Sequence, residues 1–152
     1  MNKTELYKSS GMDSFFEGGS FVLEISNSNI KTESDIFNLL DTICTNEKLN
    51  PLNENWNKLS YEDCKELLLN TLNFDLAFTI CESMTRDKAI YFLNHILSFI
   101  NKDECRCFTN SYGNPWKSAQ YSFNSITEST FDMAIVFLDS NKLVFTYKTG
   151  ED

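Results

Sequence analysis

The stretch Phe131-Asp-Met-Ala-Ile-Val-Phe-Leu138 constrains this chain more than any other. In an extended strand, successive side chains point to opposite faces. Phe131, Met133, Ile135 and Phe137 then share one face, and Ala134, Val136 and Leu138 share the other, with Asp132 the one charge among them. A strand apolar on both faces belongs inside a sheet that is covered on both sides. A second apolar run, Leu143 to Tyr147, follows the polar joint Asp139-Ser-Asn-Lys142, so the pair reads as a β-hairpin. Any fold of this chain has to enclose that hairpin.

The covering elements lie upstream. Thr32-Glu-Ser-Asp35 has the spacing of a capping box, and Ile36, Leu39, Leu40 and Ile43 follow at helical spacing, which predicts a helix over 33–46. Ser60-Tyr-Glu-Asp63 repeats the capping signal, with Cys64, Leu67, Leu68, Thr71 and Leu72 on one face. Asn73 to Glu82 is ambiguous between strand and helix. Leu76, Ala77, Ile80, Cys81 and Met84 keep the helical period there, so helix is the expectation. Thr85-Arg-Asp-Lys88 opens a further helix whose Ala89, Ile90, Leu93, Ile96, Leu97 and Ile100 face inward.

The remaining segments are shorter and more polar. Residues 1–19 read as a loose arm with a helical turn at Met12 to Phe16, and Ser20 to Ser26 as a short strand, with helix the alternative. Asn46 to Lys58, with Pro51, several asparagines and Trp56, reads as a loop. Glu104 to Phe108 alternates, placing Cys105 and Cys107 on one face. Ser111 to Trp116 is a turn, and Lys117 to Phe123 alternates weakly. The expected class is α+β in a single domain over 1–152, with N-terminal and central helices packed on a C-terminal antiparallel β-sheet. A chain of 152 residues buries roughly 68–70% of its unfolded surface.

Charge narrows the partners. The net charge is −9 and the sequence pI about 4.6. Such a surface repels phosphate backbones, so nucleic acid is a poor direct ligand and a basic protein a better one. The plainer account is that the charge keeps the protein soluble. No apolar run approaches the roughly 20 residues of a membrane span, and the N-terminus lacks a stretch of signal-peptide length. The five cysteines are odd in number and sit mostly within apolar patterns, which reads as reduced thiols and a cytoplasmic location.

Catalytic signatures are weak. His95, the one histidine, lies at the edge of an apolar stripe beside Tyr91 and Phe99 and reads as structural. No serine sits in a Gly-x-Ser-x-Gly elbow, and Glu17-Gly-Gly-Ser20 lacks the rest of a phosphate loop. Cys105-x-Cys107 is not structural zinc spacing; a metal would need His95 or another cysteine brought in by the fold. No cofactor is expected. Carboxylate pairs such as Glu62-Asp63 fit a helix N-terminus, where the dipole favours them.

Interaction residues have the better case. Segment 126–152 carries Glu128, Asp132 and Asp139, and Trp116 and Tyr121 lie just before it. Large aromatics beside carboxylates suit a surface that accepts Lys or Arg from a partner. These five residues are the candidate contacts. The competing account is that the aromatics complete the core and the acids are solvated. Asp132 is the sharpest case, because a charge on an apolar strand needs a partner, internal or external.

Ser125-Ile-Thr-Glu-Ser-Thr-Phe-Asp132, followed by an apolar hairpin and an acidic end, resembles the immunity proteins of bacterial contact-dependent growth inhibition. The specific likeness covers the last third of the chain. It implies a non-enzymatic cytosolic protein that neutralises the C-terminal toxin domain of one cognate protein, often a nuclease. A nuclease that grips phosphates is basic, and an acidic binder can cover its cleft. Two other classes stay open: a small cytosolic enzyme using His95 with a cysteine or carboxylate, and an adaptor that binds a basic segment of a non-toxic protein.

Overall fold

Phe131–Leu138 and Lys142–Gly150 pair as antiparallel strands, with Phe131 opposite Gly150 and Leu138 opposite Leu143. They are the two central strands of a six-stranded antiparallel sheet in the computed structural model, which describes residues 2–6, 17–26 and 30–151. The strands are β1 (Lys3–Glu5), β2 (Gly18–Glu24), β3 (Asn57–Leu59), β4 (Arg106–Thr109), β7 (Phe131–Leu138) and β8 (Lys142–Gly150). Across the sheet they run β1-β2-β8-β7-β4-β3. A separate small hairpin joins β5 (Ser111–Tyr112) to β6 (Ser122–Phe123). The helices are α1 (Glu33–Asn46), α2 (Tyr61–Asn73) and α3 (Arg86–Leu97), and the class is α+β.

Alternation along β7 divides the interior in two. Met133, Ile135 and Phe137, with Val144 of β8, pack under α2 and α3 against Leu67, Leu68, Leu72, Leu93 and Ile96. Ala134, Val136 and Leu138, with Leu143 and Phe145, pack under α1 against Ile36, Leu40 and Ile43. Burying one large apolar side chain is worth roughly 1.5–3 kcal/mol, so β7 and β8 draw stabilisation from both layers. The helices start where the capping residues place them. Thr32 forms a full capping box with Asp35, and Ser60 and Thr85 accept from the amides of Asp63 and Lys88.

Four stretches depart from the sequence reading. The sheet reaches beyond the C-terminal third, because β2 pairs with β8 and β1 with β2. Part of the supposed loose arm is therefore an edge strand. It is tied down by Lys3, whose ammonium bridges Glu5 and Glu47 and lies 4.7 Å from the centre of the Phe21 ring. The turn expected at Met12 to Phe16 falls outside the described residues. Within the predicted loop 46–58 a 3-10 turn forms over Asn53–Asn55 and β3 begins at Asn57, while the alternation over 117–123 yields only β6.

The predicted helix over 73–82 is instead a braced loop. Asn73 Nδ2 donates to the Met84 carbonyl at 2.8 Å and the Ser83 amide donates to the Asn73 carbonyl at 2.8 Å, closing the loop at its root. The Asp75 carboxylate accepts the amides of Ala77 (2.8 Å) and Phe78 (2.9 Å), local bonding that competes with a helical ladder. Leu76 and Met84 are buried while Ile80 faces solvent, so the apolar period belonged to two anchors and a tip, not to one helix face.

Lys148 joins this loop to the sheet. It is 4% exposed, and its ammonium donates to the carbonyls of Thr71 (2.9 Å) and Phe74 (2.8 Å) and to Ser83 Oγ (2.8 Å). The site is the C-terminal end of α2, which has no base in its own last turn and whose final carbonyls and dipole favour a cation. Burial pushes the Lys148 pKa down to about 8 from its ordinary 10.5, against the opposing pull of Asp75 and Glu17. Among the described residues no helix is long and apolar enough to cross a membrane.

Lys148→Met leaves three acceptors without their donor and is expected to lower the unfolding free energy by roughly 2–4 kcal/mol. Between the folded value of about 8 and the unfolded value near 10.5, the unfolded chain holds more protons. The stability difference between wild type and variant therefore grows as pH rises through that window. Urea unfolding of both proteins at several pH values checks this; a difference that shrinks with rising pH contradicts the assignment.

Candidate partner-binding surface

The structure turns two of the five candidate contacts inward. Asp132 is 0% exposed, and its carboxylate accepts Asn110 Nδ2 (2.7 Å), the Ile126 amide (3.2 Å), the Thr127 amide (2.9 Å) and Thr127 Oγ1 (2.8 Å). Asn110 completes the link, its Oδ1 accepting the Ala134 amide at 2.8 Å. Asp139 is likewise buried at the hairpin turn, where it accepts the amides of Asn101 (2.9 Å), Asn141 (2.8 Å) and Lys142 (2.7 Å). The expectation that Asp132 and Asp139 touch a partner is corrected on this ground. Both carboxylates are saturated by internal donors, and the segment that carries the resemblance is a loop tied to its own strand.

The other three lie nearer the surface. Glu128 is exposed, and Trp116 and Tyr121 are half-buried. Tyr121 stacks on Phe123, which leans on Phe131 (centroids 5.7 and 6.2 Å). Burial, and then the charge of Asp132, push the Tyr121 phenol up. Trp116 stacks on Phe74 at 6.2 Å and donates its indole N–H to the Thr79 carbonyl at 3.1 Å. Trp116 is thus a brace between the turn at 113–117 and the loop after α2.

Beside that brace lie two shallow clefts on the solvent side of α2. One, of about 180 Å³, is lined by Leu59, Asp63, Glu66, Leu67, Asn114 and Lys117. The other, of about 280 Å³, shares Asp63 and Glu66 and adds Glu62, Lys65, Leu69 and Leu93. Asp63 and Glu66 therefore stand on the ridge between two depressions with apolar floors. Lys117 bridges to Glu66 at 2.8 Å, and this bond, with the charges of Glu66 and Asp63, holds its ammonium above the ordinary lysine value. Such a surface can seat the aliphatic stem of a Lys or Arg with its charge on the carboxylates. A wider depression of about 440 Å³ lies over α1, but it is lined by neutral polar side chains, and its Asp41 already holds the amides of Leu52 and Asn53.

Sequence reasoning passed over this ridge because the helix dipole explained Glu62 and Asp63. The signal was present: residues 62, 63 and 66 are three and four apart, on one helical face.

The groups that could do covalent or metal chemistry are placed otherwise. His95 packs edge-on against Phe99 at 5.5 Å, and its buried Nε2 has no hydrogen-bond partner. Cys105 and Cys107 approach to 3.5 Å between sulfurs. Hydrogen bonding to Cys107, then burial, pushes the Cys105 thiol up; for Cys107 the hydrogen bond from Cys105 pulls down, but hydrogen bonding to Cys64 and then burial outweigh it and push the thiol up. Thiols held protonated are poor nucleophiles and poor ligands. All five cysteines are free, and among the described residues no group of three or more His, Cys, Asp or Glu is arranged to hold a metal.

No family model matches the chain, and neither does any curated protein or solved structure.

Asp132→Ala is expected to lower the unfolding free energy by roughly 3–5 kcal/mol, since it strips the charge from a buried network. Glu128→Ala is expected to change it by about 0.5 kcal/mol at most. Denaturant titration separates the two; equal small effects contradict an internal role for Asp132.

Proposed function

We propose that the protein is a non-enzymatic immunity protein that binds and neutralises a basic toxin domain delivered by neighbouring bacteria. The observation that carries this reading is the net charge of −9 combined with where the acids stand. Asp132 and Asp139 serve the fold, while Glu62 and Asp63 are exposed and Glu66, half-buried and bridged to Lys117, stands beside them around clefts with apolar floors. The two clefts on α2, at about 180 and 280 Å³, lie below the roughly 300–1,000 Å³ typical of small-molecule sites, which favours recognition of side chains presented by a protein. A nuclease is the toxin chemistry that suits the charge best, since a cleft built for phosphates presents Lys and Arg to an acidic binder. Trp116, beside the ridge, supplies aromatic area of the kind enriched at such interfaces.

The reading expects the adjacent upstream gene to encode a large secreted protein with a basic, toxic C-terminal domain. An isolated gene in an unrelated metabolic operon contradicts it, and a basic but harmless neighbour assigns the chain to the adaptor class instead. With that domain as ligand, association should slow several-fold between roughly 20 and 150 mM salt. The double variant Asp63→Lys/Glu66→Lys should slow it by roughly tenfold at low salt. Stopped-flow rates indifferent to both salt and charge reversal contradict electrostatic recognition by α2.

A further inference from the structure

The loop after α2 exposes its apolar residues by construction. Ile80 is 93% exposed and Phe78 57%. They belong to a tight turn in which the Cys81 amide donates to the Phe78 carbonyl at 2.9 Å, with Thr79 and Ile80 at its tip. Turn tips favour Gly, Asn, Asp and Ser, which adopt the required conformations or bond locally. A β-branched isoleucine at the tip contributes nothing to the turn.

The tip is held rigidly. The Asp75 amide donates to the Cys81 carbonyl at 2.9 Å, and the Asp75 carboxylate fixes the next two amides but one. Lys148 clamps Phe74 and Ser83, and Trp116 holds Thr79. Gly150 passes so close to Leu76 that an added Cβ would stand 2.9 Å from the leucine Cβ, so the loop is seated tightly on the end of β8. A braced loop with an apolar tip resembles a ligand already ordered for binding, which loses little conformational entropy on association.

Charge identifies what receives it. Residues 74–84 carry Asp75 and Glu82 and no base. Trp116 and Lys117, adjacent in sequence, connect the loop to the ridge of Asp63 and Glu66. We infer that Phe78 and Ile80 are the apolar anchor of the interface and insert into an apolar pocket rimmed by Lys or Arg on the basic partner. This inference rests on the proposed function and adds to it: the carboxylates steer encounter, and the loop tip holds the complex together.

The test uses the full chain and, as probe, the basic C-terminal domain encoded immediately upstream. Phe78→Ser, Ile80→Asp and Ile80→Thr are compared with the remote surface variant Glu54→Gln by titration and by dissociation rate. Each loop variant is expected to weaken binding at least tenfold, chiefly through faster dissociation, with the salt dependence of association retained and the unfolding midpoint unchanged. Ile80→Thr keeps the branched shape and removes the apolar contact, so it is scored should Ile80→Asp disturb folding. Binding by the wild type that ignores all three substitutions overturns the loop inference and leaves the proposed function standing. No binding by the wild type overturns both. Sedimentation of the chain alone supplies the remaining outcome: a dimer that Ile80→Asp dissociates shows that a second copy receives the loop, which also overturns the inference.

Discussion

One strand that is apolar on both faces determines the layout of this protein. β7 cannot lie at an edge or under a single layer without leaving a row of large side chains in water. α1 therefore covers one side, and α2 with α3 the other. The strand order follows the same constraint. β7 and β8 occupy the middle, shielded by β2 and β1 on one flank and β4 and β3 on the other. The outermost strands are three residues each, short enough to limit unwanted pairing at the sheet edges.

A core this apolar leaves the hairpin's charged groups dependent on local backbone. Asp132 near the start of β7, Asp139 at the turn and Lys148 near the end of β8 each meet several backbone or side-chain partners. Together they fix register, because a one-residue slip exchanges the two faces and carries Asp132 away from the amides of Ile126 and Thr127. Lys148 also extends the constraint outward. By bonding to the end of α2 and the loop beyond it, the hairpin positions the surface on which Phe78 and Ile80 stand.

Much of the fold was legible because its signals are local. The alternation of β7, the capping residues Thr32, Ser60 and Thr85, and the apolar stripes of α1 to α3 state their structure within a few residues, although Ile90, expected to face inward, is 37% exposed on α3. The loop over 73–84 was not legible. Its conformation depends on Lys148 and Trp116, which arrive from far along the chain, and Leu76, Ala77 and Ile80 imitate a helical period. β1 was missed for a similar reason, since three polar residues become a strand only beside β2. Of the five candidate contacts, Asp132 and Asp139 lie inside the fold, whereas Glu128 is exposed and Trp116 and Tyr121 are half-buried. Charge on a strand or turn identifies a group that needs partners without saying on which side of the molecular surface they lie.

Folding and recognition use different residues in this proposal: the hairpin and its buried carboxylates make the core, and the ridge of α2 with the loop after it is proposed to meet the partner. Hydrogen exchange of the free chain and of its complex with the basic upstream-encoded domain tests this most directly. New protection is expected over 61–66, 74–84 and 113–117, with the amides of 125–148 exchanging as slowly in the free chain as in the complex. Protection gained chiefly over 125–142, with none over 74–84, would contradict it.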